Sequence, residues 1–345
     1  MNQDALIIFC QAPADMPYVL DLYDINKEKK KISIFVINVE GMYKFLISLN
    51  LKLNQLVFIP SYFISLNKMS LLIKERRRIN NLWKKYFIEI KHAEVFFFSK
   101  FEDWLTSAFI HKLSKNRMVA INYLNHYDNS SSLYIKSNYI SFKHKIYLLI
   151  LELLTDIRFK VEIKEKTPEF PIENYNIKIF NVEKKLEILS KYKAKLDFIN
   201  IKNPYLLIFV SPCESKIFNP IFFDAQLINV IELFKEKKYS VIGKGHPRLG
   251  IPKSIKELAD YIIPSYIPGE FIDPAIFNLC LGLETVTICH FSKNTNLPTY
   301  SIINLFPYSN KKTYDININY LKQQSNDKMS FCNSIEELNE IASKI

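Results

Sequence analysis

Short apolar, β-branched runs alternate with longer helical patterns along almost the whole chain, and this alternation constrains the fold more than any other feature. ALIIFC (5–10), KISIFVINV (31–39), QLVFIP (55–60), AEVFFFS (93–99) and RMVAINYL (117–124) read as strands, with helices over 40–50, 64–90 and 101–115 between them. Strands that are apolar nearly throughout have both faces buried, so these runs predict a parallel sheet covered by helices on each side. A further helix over 141–155 precedes a charged, proline-bearing stretch, VEIKEKTPEFPIENY (161–175), which reads as a linker.

The alternation then restarts. YLLIFV (205–210) reads as a strand, 220–238 as a helix, YSVIGK (239–244) as a strand and 254–260 as a helix. YIIPSY (261–266) is a short strand, 271–282 contains a helix, and ETVTICHF (284–291) and PTYSIINLF (298–306) follow as strands. SIEELNEIASKI (334–345) closes the chain as a helix, with Ser334 and Glu337 spaced as a capping box. A chain of 345 residues is about two domains long. The expected division is a Rossmann-like α/β domain over 1–160, a connecting segment over 161–200 and a second Rossmann-like domain over 201–345. The two would face each other across a cleft, and ligands of open α/β sheets bind outside the carboxyl ends of the strands.

Composition removes several classes of function. Only 6 glycines occur, where average usage would give roughly 24. Neither the GxxxxGK[ST] nor the GxGxxG phosphate-binding pattern is present. The 5 cysteines are scattered singly and read as reduced thiols of a cytoplasmic protein, not a disulfide frame or a zinc site. His92, His111, His126, His144 and His290 show no metal-ligand spacing, so no metal is expected. The N-terminus lacks the basic start of an export signal, and the longest apolar runs are too short to span a bilayer.

Lys and Arg number 46 against 35 Asp and Glu, a formal charge of +11. Part of the excess sits in Lys74-Glu75-Arg76-Arg77-Arg78, with Lys84 and Lys85 further along the same expected helix. Such a helix can attract anionic lipid or lipopolysaccharide, which points to peripheral contact with the inner face of a membrane. A basic nucleic-acid-binding protein is the alternative of another class. No binding motif accompanies the charge, and the aromatic residues lie in strand runs, so nucleic acid is not an expected partner.

Five of the six glycines fall between residues 243 and 282. A glycine-poor chain concentrates glycine where the backbone needs positive φ or close approach. Three constellations lie in this window, each at an expected strand end. Gly243-Lys244-Gly245-His246-Pro247-Arg248 offers an imidazole that can donate a proton to a leaving phosphate oxygen, and an ammonium that can contact a nucleotide. In Ile267-Pro268-Gly269-Glu270 the carboxylate can accept from two vicinal ribose hydroxyls. Gly282-Leu283-Glu284-Thr285-Val286-Thr287 supplies hydroxyls and N–H groups suited to a phosphate. Read blandly, the same residues are a solvated turn, a favourable acid at a helix start, and a strand with alternating Thr.

KGHP, then IPxE some two dozen residues later, then a short hydroxyl segment, resembles the C-terminal half of the bacterial sialyltransferases, closest to the lipooligosaccharide and capsule enzymes of glycosyltransferase family 52. The resemblance covers roughly residues 205–300. It implies a GT-B fold and an inverting, metal-independent transferase that needs no cofactor. The donor would be a CMP-activated nonulosonic acid, most directly CMP-sialic acid. The acceptor would be a galactose- or sialic-acid-terminated surface glycan such as lipooligosaccharide, O-antigen or capsule. CMP-Kdo or a nucleotide-diphosphate sugar is the alternative donor.

By motif match, His246 would be the acid assisting the CMP leaving group, Lys244 would contact the cytosine, Glu270 the ribose and Thr285 the phosphate. Thr287, Ser211, Gly245 and Pro247 would help to bind the donor. The chain departs from the family at the hydroxyl pair, where Glu284-Thr285 stands in place of two hydroxyl residues. The family's acidic pair followed by glycine has no intact copy. Its nearest match, Tyr127-Asp128-Asn129, leaves Asp128 as the first choice for the base that deprotonates the acceptor, with Asp224 and Glu214 as alternatives. An Asx-turn would also account for Asp128.

Overall fold

The computed structural model describes residues 5–60, 69–98, 104–125, 146, 149–150, 175–179, 182–196, 203–212, 218–247 and 249–344. The chain divides into two units, Met1–Ile188 and Leu189–Ile345.

In the first unit β1 (Ala5–Cys10), β2 (Lys31–Ile37), β3 (Gln55–Ile59), β4 (Ala93–Phe97), β5 (Val119–Asn125) and β6 (Asn176–Ile179) form one sheet in the order β3-β2-β1-β4-β5-β6. Every pairing is parallel. Helices α1 (Met16–Asn26), α2 (Glu40–Ser48), α3 (Met69–Tyr86) and α4 (Trp104–Ser114) connect the early strands. Ile7 and Phe9 pack with Ile79 of α3, Phe87 just beyond it, and Leu105, Ala108 and Phe109 of α4. Leu6, Ile8 and Cys10 alternate onto the opposite face and are equally buried. Phe9, Phe35, Phe87 and Phe109 form a ring cluster with centroids 4.8–6.1 Å apart.

The segment expected to connect the domains over 161–200 contains a sixth strand of the first sheet, followed by α5 (Val182–Lys191). Asn176 sits opposite Asn122 in the β5–β6 register, and its side-chain amide donates to the Asn122 side-chain oxygen at 3.3 Å. Asn122 is buried and its amide in turn reaches Glu94 and the Val95 carbonyl. This polar pairing carries no apolar signature in the sequence, so the composition of 161–175 masked the strand just after it. The expected helix 141–155 and most of 161–175 lie outside the described residues.

In the second unit β7 (Tyr205–Phe209), β8 (Ser240–Lys244), β9 (Tyr261–Ile263), β10 (Leu279–Gly282), β11 (Thr299–Ser301) and β12 (Ser330–Phe331) make a second sheet, ordered β12-β11-β10-β7-β8-β9 and again wholly parallel. Helices α6 (Pro220–Glu236), α7 (Lys253–Leu258), α8 (Val286–Asn294), α9 (Lys311–Gln324) and α10 (Ile335–Lys344) accompany it. Leu206, Ile208 and Val210 pack against Leu227, Val230, Ile231 and Phe234 of α6 and Leu338 and Ile341 of α10. Ser334 caps α10 by accepting from the Glu337 N–H at 3.1 Å, while the Glu337 carboxylate takes the Asn333 N–H at 2.8 Å.

Numbered within each unit, both sheets run 3-2-1-4-5-6, the Rossmann order. In each, the chain reverses direction across the sheet between the first strand and the fourth, so each has a switch point there.

Three local readings change. Residues 284–291 are not a strand: α8 starts at Val286, capped by Thr285, whose hydroxyl accepts from the Thr287 N–H. Val286, Thr287 and Ile288 are β-branched and read as strand formers, but the cap and the buried Ile288, Cys289 and Phe291 favour a helix. The expected helix within 271–282 is instead a pair of 3-10 turns, Gly269–Phe271 and Pro274–Ile276, leading into β10. The strand expected over 298–306 stops at Ser301 and gives way to a 3-10 turn, Ile303–Leu305. α1, α5 and α9 have no counterpart in the sequence reading.

Candidate nucleotide site

Because all strands of the second sheet are parallel, the segments that follow β7, β8, β9 and β10 emerge at one edge, and these strands are neighbours. The three constellations are those segments. Ser211 follows β7, Lys244 ends β8 and leads to His246, Glu270 lies beyond β9, and Thr285 follows β10. The switch point between β7 and β10 falls among them.

Lys244 is 3% exposed. Its ammonium donates to the carbonyl of Gly245 at 2.8 Å and to that of Ser265 at 3.4 Å. Burial lowers its pKa from the usual lysine range to about 8. The Ser265 contact ties the end of β8 to the turn that leads into Ile267-Pro268-Gly269-Glu270.

Gly245 is required here. A Cβ on it would lie 2.6 Å from the Gly250 carbonyl oxygen and 2.8 Å from Cβ of Ile251. The backbones of His246 and Gly250 pair antiparallel, with N–H to O distances of 2.8 and 2.9 Å, closing a tight turn around Pro247. Gly250 makes that closure at φ 87°, a conformation open to glycine. His246 and Pro247 are exposed on this turn. The Leu249 N–H donates to Nδ1 of His246 at 3.2 Å, which places the proton of the neutral ring on Nε2. His246 therefore presents an N–H donor from a rigid turn at the sheet edge.

The second and third constellations touch directly. A Cβ on Gly269 would lie 2.7 Å from both Cγ2 and Oγ1 of Thr287. Only glycine lets the Glu270 turn rest on the first turn of α8. Glu270 and Thr285 are both half-buried. Lys244, His246, Glu270, Thr285 and Thr287 thus belong to one continuous group, linked through Ser265 and through Gly269.

The base candidates fare differently. Asp224 is exposed on α6, and its carboxylate accepts from the Ser254 hydroxyl of α7 at 3.0 Å. That helix-to-helix bond takes it up without linking it to the group above. Asp128 and Glu214 lie outside the described residues.

Two features escaped the sequence reading. Glu284, where the resemblance implies a hydroxyl residue, accepts from the Asn317 side-chain amide of α9 at 2.7 Å. In the first unit Asp15 is fully buried just after β1, where its carboxylate accepts from the N–H groups of Gln11 and Ala12 at 2.8 Å each. The Glu284–Asn317 bond spans 33 residues and Asp15 belongs to no motif, so spacing could show neither. Among the described residues no group of three or more His, Cys, Asp or Glu could hold a metal ion. No helix among them is long and apolar enough to cross a membrane.

Two Rossmann-like parallel-sheet domains in tandem place the chain in the GT-B fold class, with a candidate nucleotide site on the carboxyl edge of the second sheet. No protein-family model matches the chain, and no curated protein matches it. Among solved structures it is similar to a sialyltransferase from Photobacterium damselae, a GT-B domain, at 13% identity, 95% of this chain and 99% of that one, with a TM-score of 0.49. It is also similar to the UDP-GlcNAc 2-epimerase of Neisseria meningitidis bound to UDP-GlcNAc, at 13% identity, 99% and 98% coverage and a TM-score of 0.46. A family 9 glycosyl transferase from Veillonella parvula gives 11% identity, 100% and 97% coverage and a TM-score of 0.44.

Proposed function

We propose that the protein is an inverting glycosyltransferase that moves a nonulosonic acid, most directly sialic acid, from its CMP-activated donor to a sugar hydroxyl of a surface glycan. The observation that carries this reading is the meeting of Lys244, His246, Glu270 and Thr285 on one sheet edge, in the roles the motif resemblance implies. CMP would lie along that edge, with Lys244 toward the cytosine, Glu270 on the ribose hydroxyls and Thr285 with the start of α8 at the phosphate.

In the reaction the acceptor oxygen attacks the anomeric carbon from the face opposite CMP. A new carbon–oxygen bond forms, and the bond to the phosphate oxygen breaks with its electron pair leaving on CMP. A carboxylate, Asp128 as first choice, takes the acceptor proton. Nε2–H of His246 is shared with the departing oxygen. A phosphate monoester has a second pKa near 6, so a strong hydrogen bond at this oxygen suffices to stabilise the leaving group near neutral pH. Neither step draws on a metal or other cofactor.

The cationic face of α3 supports a peripheral contact with an anionic membrane surface. Lys74, Arg77, Arg78, Asn81, Leu82 and Lys85 recur at helical spacing and line a concavity of about 340 Å³. Co-sedimentation with phosphatidylglycerol vesicles should fall when Lys74, Arg77 and Lys85 are changed to Ser, and unchanged binding would place the contact elsewhere.

The test of the activity is incubation with CMP-N-acetylneuraminate, UDP-glucose or GDP-mannose and a small panel of galactosides, read by mass spectrometry. Transfer from the CMP sugar alone is expected, and His246→Ala should lower it by about 10²–10⁴ while leaving the fold intact. Turnover of the diphosphate sugars with the CMP sugar ignored would overturn the donor assignment. A His246→Ala enzyme as fast as wild type would overturn the role of the imidazole.

A further inference from the structure

Beyond Thr285 the sheet edge continues into β11, and there the chain assembles an aromatic plate beside a carboxylate–amide pair. The rings of Tyr308 and Tyr314 stack with centroids 4.6 Å apart and planes 20° from parallel. Tyr308 is 46% exposed, so the outer face of the plate is open to solvent. The plate is firmly mounted. Tyr308 bridges to Phe218 after β7, the Asn219 N–H donates to the Pro307 carbonyl at 2.7 Å, and the Ser309 hydroxyl donates to the Phe218 carbonyl at 2.7 Å. From the other side, the Tyr314 hydroxyl donates to the Asn304 side chain.

One helical turn along α9 from Tyr314, Asn317 holds the half-buried carboxylate of Glu284. The two pairs therefore stand side by side, joined by α9. Glu284 directly precedes Thr285, the residue proposed to meet the phosphate.

An exposed ring beside fixed carboxylate and amide groups matches the two faces of a sugar. The C–H groups of a pyranose lie on an aromatic plane, and its hydroxyls donate to a carboxylate and accept from an amide. A fixed negative charge disfavours a ligand that carries its own carboxylate at this point. We propose that Tyr308, Tyr314, Glu284 and Asn317 form a subsite for a neutral, hydroxyl-rich pyranose.

Resting on the nucleotide-sugar reading of the neighbouring edge, the subsite sits where a neutral acceptor sugar approaching that phosphate would come to lie. The strands give the order: β9 and β8 beside the nucleoside end, β7 next, β10 at the phosphate and β11 at the pyranose, each about 4.8 Å from the next.

The experiment is a saturation-transfer NMR titration of the whole protein with methyl β-galactopyranoside, set beside calorimetric titrations with CMP, CMP-N-acetylneuraminate and UDP-glucose. Tyr308→Ala is expected to weaken galactoside binding by about tenfold while CMP affinity and the melting temperature stay unchanged. Glu284→Gln should weaken it several-fold, and Tyr308→Phe, which keeps the stack, should bind nearly as wild type. Weakening of UDP-glucose relative to CMP by Tyr308→Ala would assign the pyranose to a diphosphate-sugar donor and overturn the acceptor assignment. If it belongs to the acceptor, only the galactoside is affected.

Galactoside binding that survives both Tyr308→Ala and Glu284→Gln, or no binding in the wild type, overturns the subsite. Loss of the galactoside only in step with a fall in melting temperature, for Tyr308→Phe as well as Tyr308→Ala, makes the stack a brace and overturns it too. CMP binding reports separately on the nucleotide site: its absence with galactoside binding intact would sink that reading and leave the subsite standing.

Discussion

The Cβ that Gly269 lacks would lie 2.7 Å from Oγ1 and Cγ2 of Thr287, so the turn carrying Glu270 and the first turn of α8 are packed to contact with no room for a methyl group. Gly269→Ala should therefore push the two segments apart and cost about 1–3 kcal/mol. Adding Thr287→Ala removes both opposing atoms and should restore part of the loss, leaving only the 3.0 Å approach to Phe209. Urea unfolding of the two single variants and the double variant measures this. Strictly additive costs would show that the contact does not hold the segments together.

Burying the Lys244 ammonium costs stability. Its pKa falls from the usual lysine range to about 8 because burial disfavours the charged form. The penalty is absent above the unfolded pKa, accrues as pH drops from about 10.5, and is complete below about 8, where it reaches roughly 3 kcal/mol. Lys244→Met should thus be as stable as wild type or more so at pH 7, with its advantage shrinking as pH rises through 8 to 9.5. A phosphate-bearing ligand nearby favours the ammonium, so CMP affinity in the wild type should decline above about pH 8. A Lys244→Met protein that is less stable than wild type by more than 2 kcal/mol at pH 7 would contradict this balance.

Cys10, Cys280, Cys289 and Cys332 are buried free thiols. Burial pushes all four pKa values up, with Cys289 at about 12 and Cys332 at about 11. The nucleophile is the thiolate, so these thiols should stay inert at pH 8 in the folded protein. With Cys213, which lies outside the described residues, changed to Ser, a maleimide should label the native chain slowly and the urea-unfolded chain four times over. Rapid native labelling would mean that the cores around these residues open readily.

Much of the fold was legible because its strands are buried on both faces. ALIIFC, KISIFVINV and YLLIFV could hardly be anything but inner strands of a parallel sheet, and α2 and α6 follow from the spacing, whereas α1 went unread. Where the chain relies on polar contacts the reading failed. β6 is fixed by an Asn122–Asn176 pair, and α8 by the Thr285 cap ahead of three β-branched residues that mimic a strand.

The turns of the candidate site were legible through glycine. Gly245, Gly250 and Gly269 each answer a backbone demand that the structure displays, and a chain with so few glycines makes such positions conspicuous. Glu284, Asn317 and Tyr308 are brought together by α9 across long stretches of sequence, so no local spacing could have revealed them.

The most direct test of the account is a calorimetric titration of the wild-type protein and of Glu270→Ala with CMP. Binding by the wild type, weakened about tenfold or more in the variant, is the predicted result. An affinity that ignores the loss of Glu270, or a wild-type protein that does not bind CMP, would contradict it.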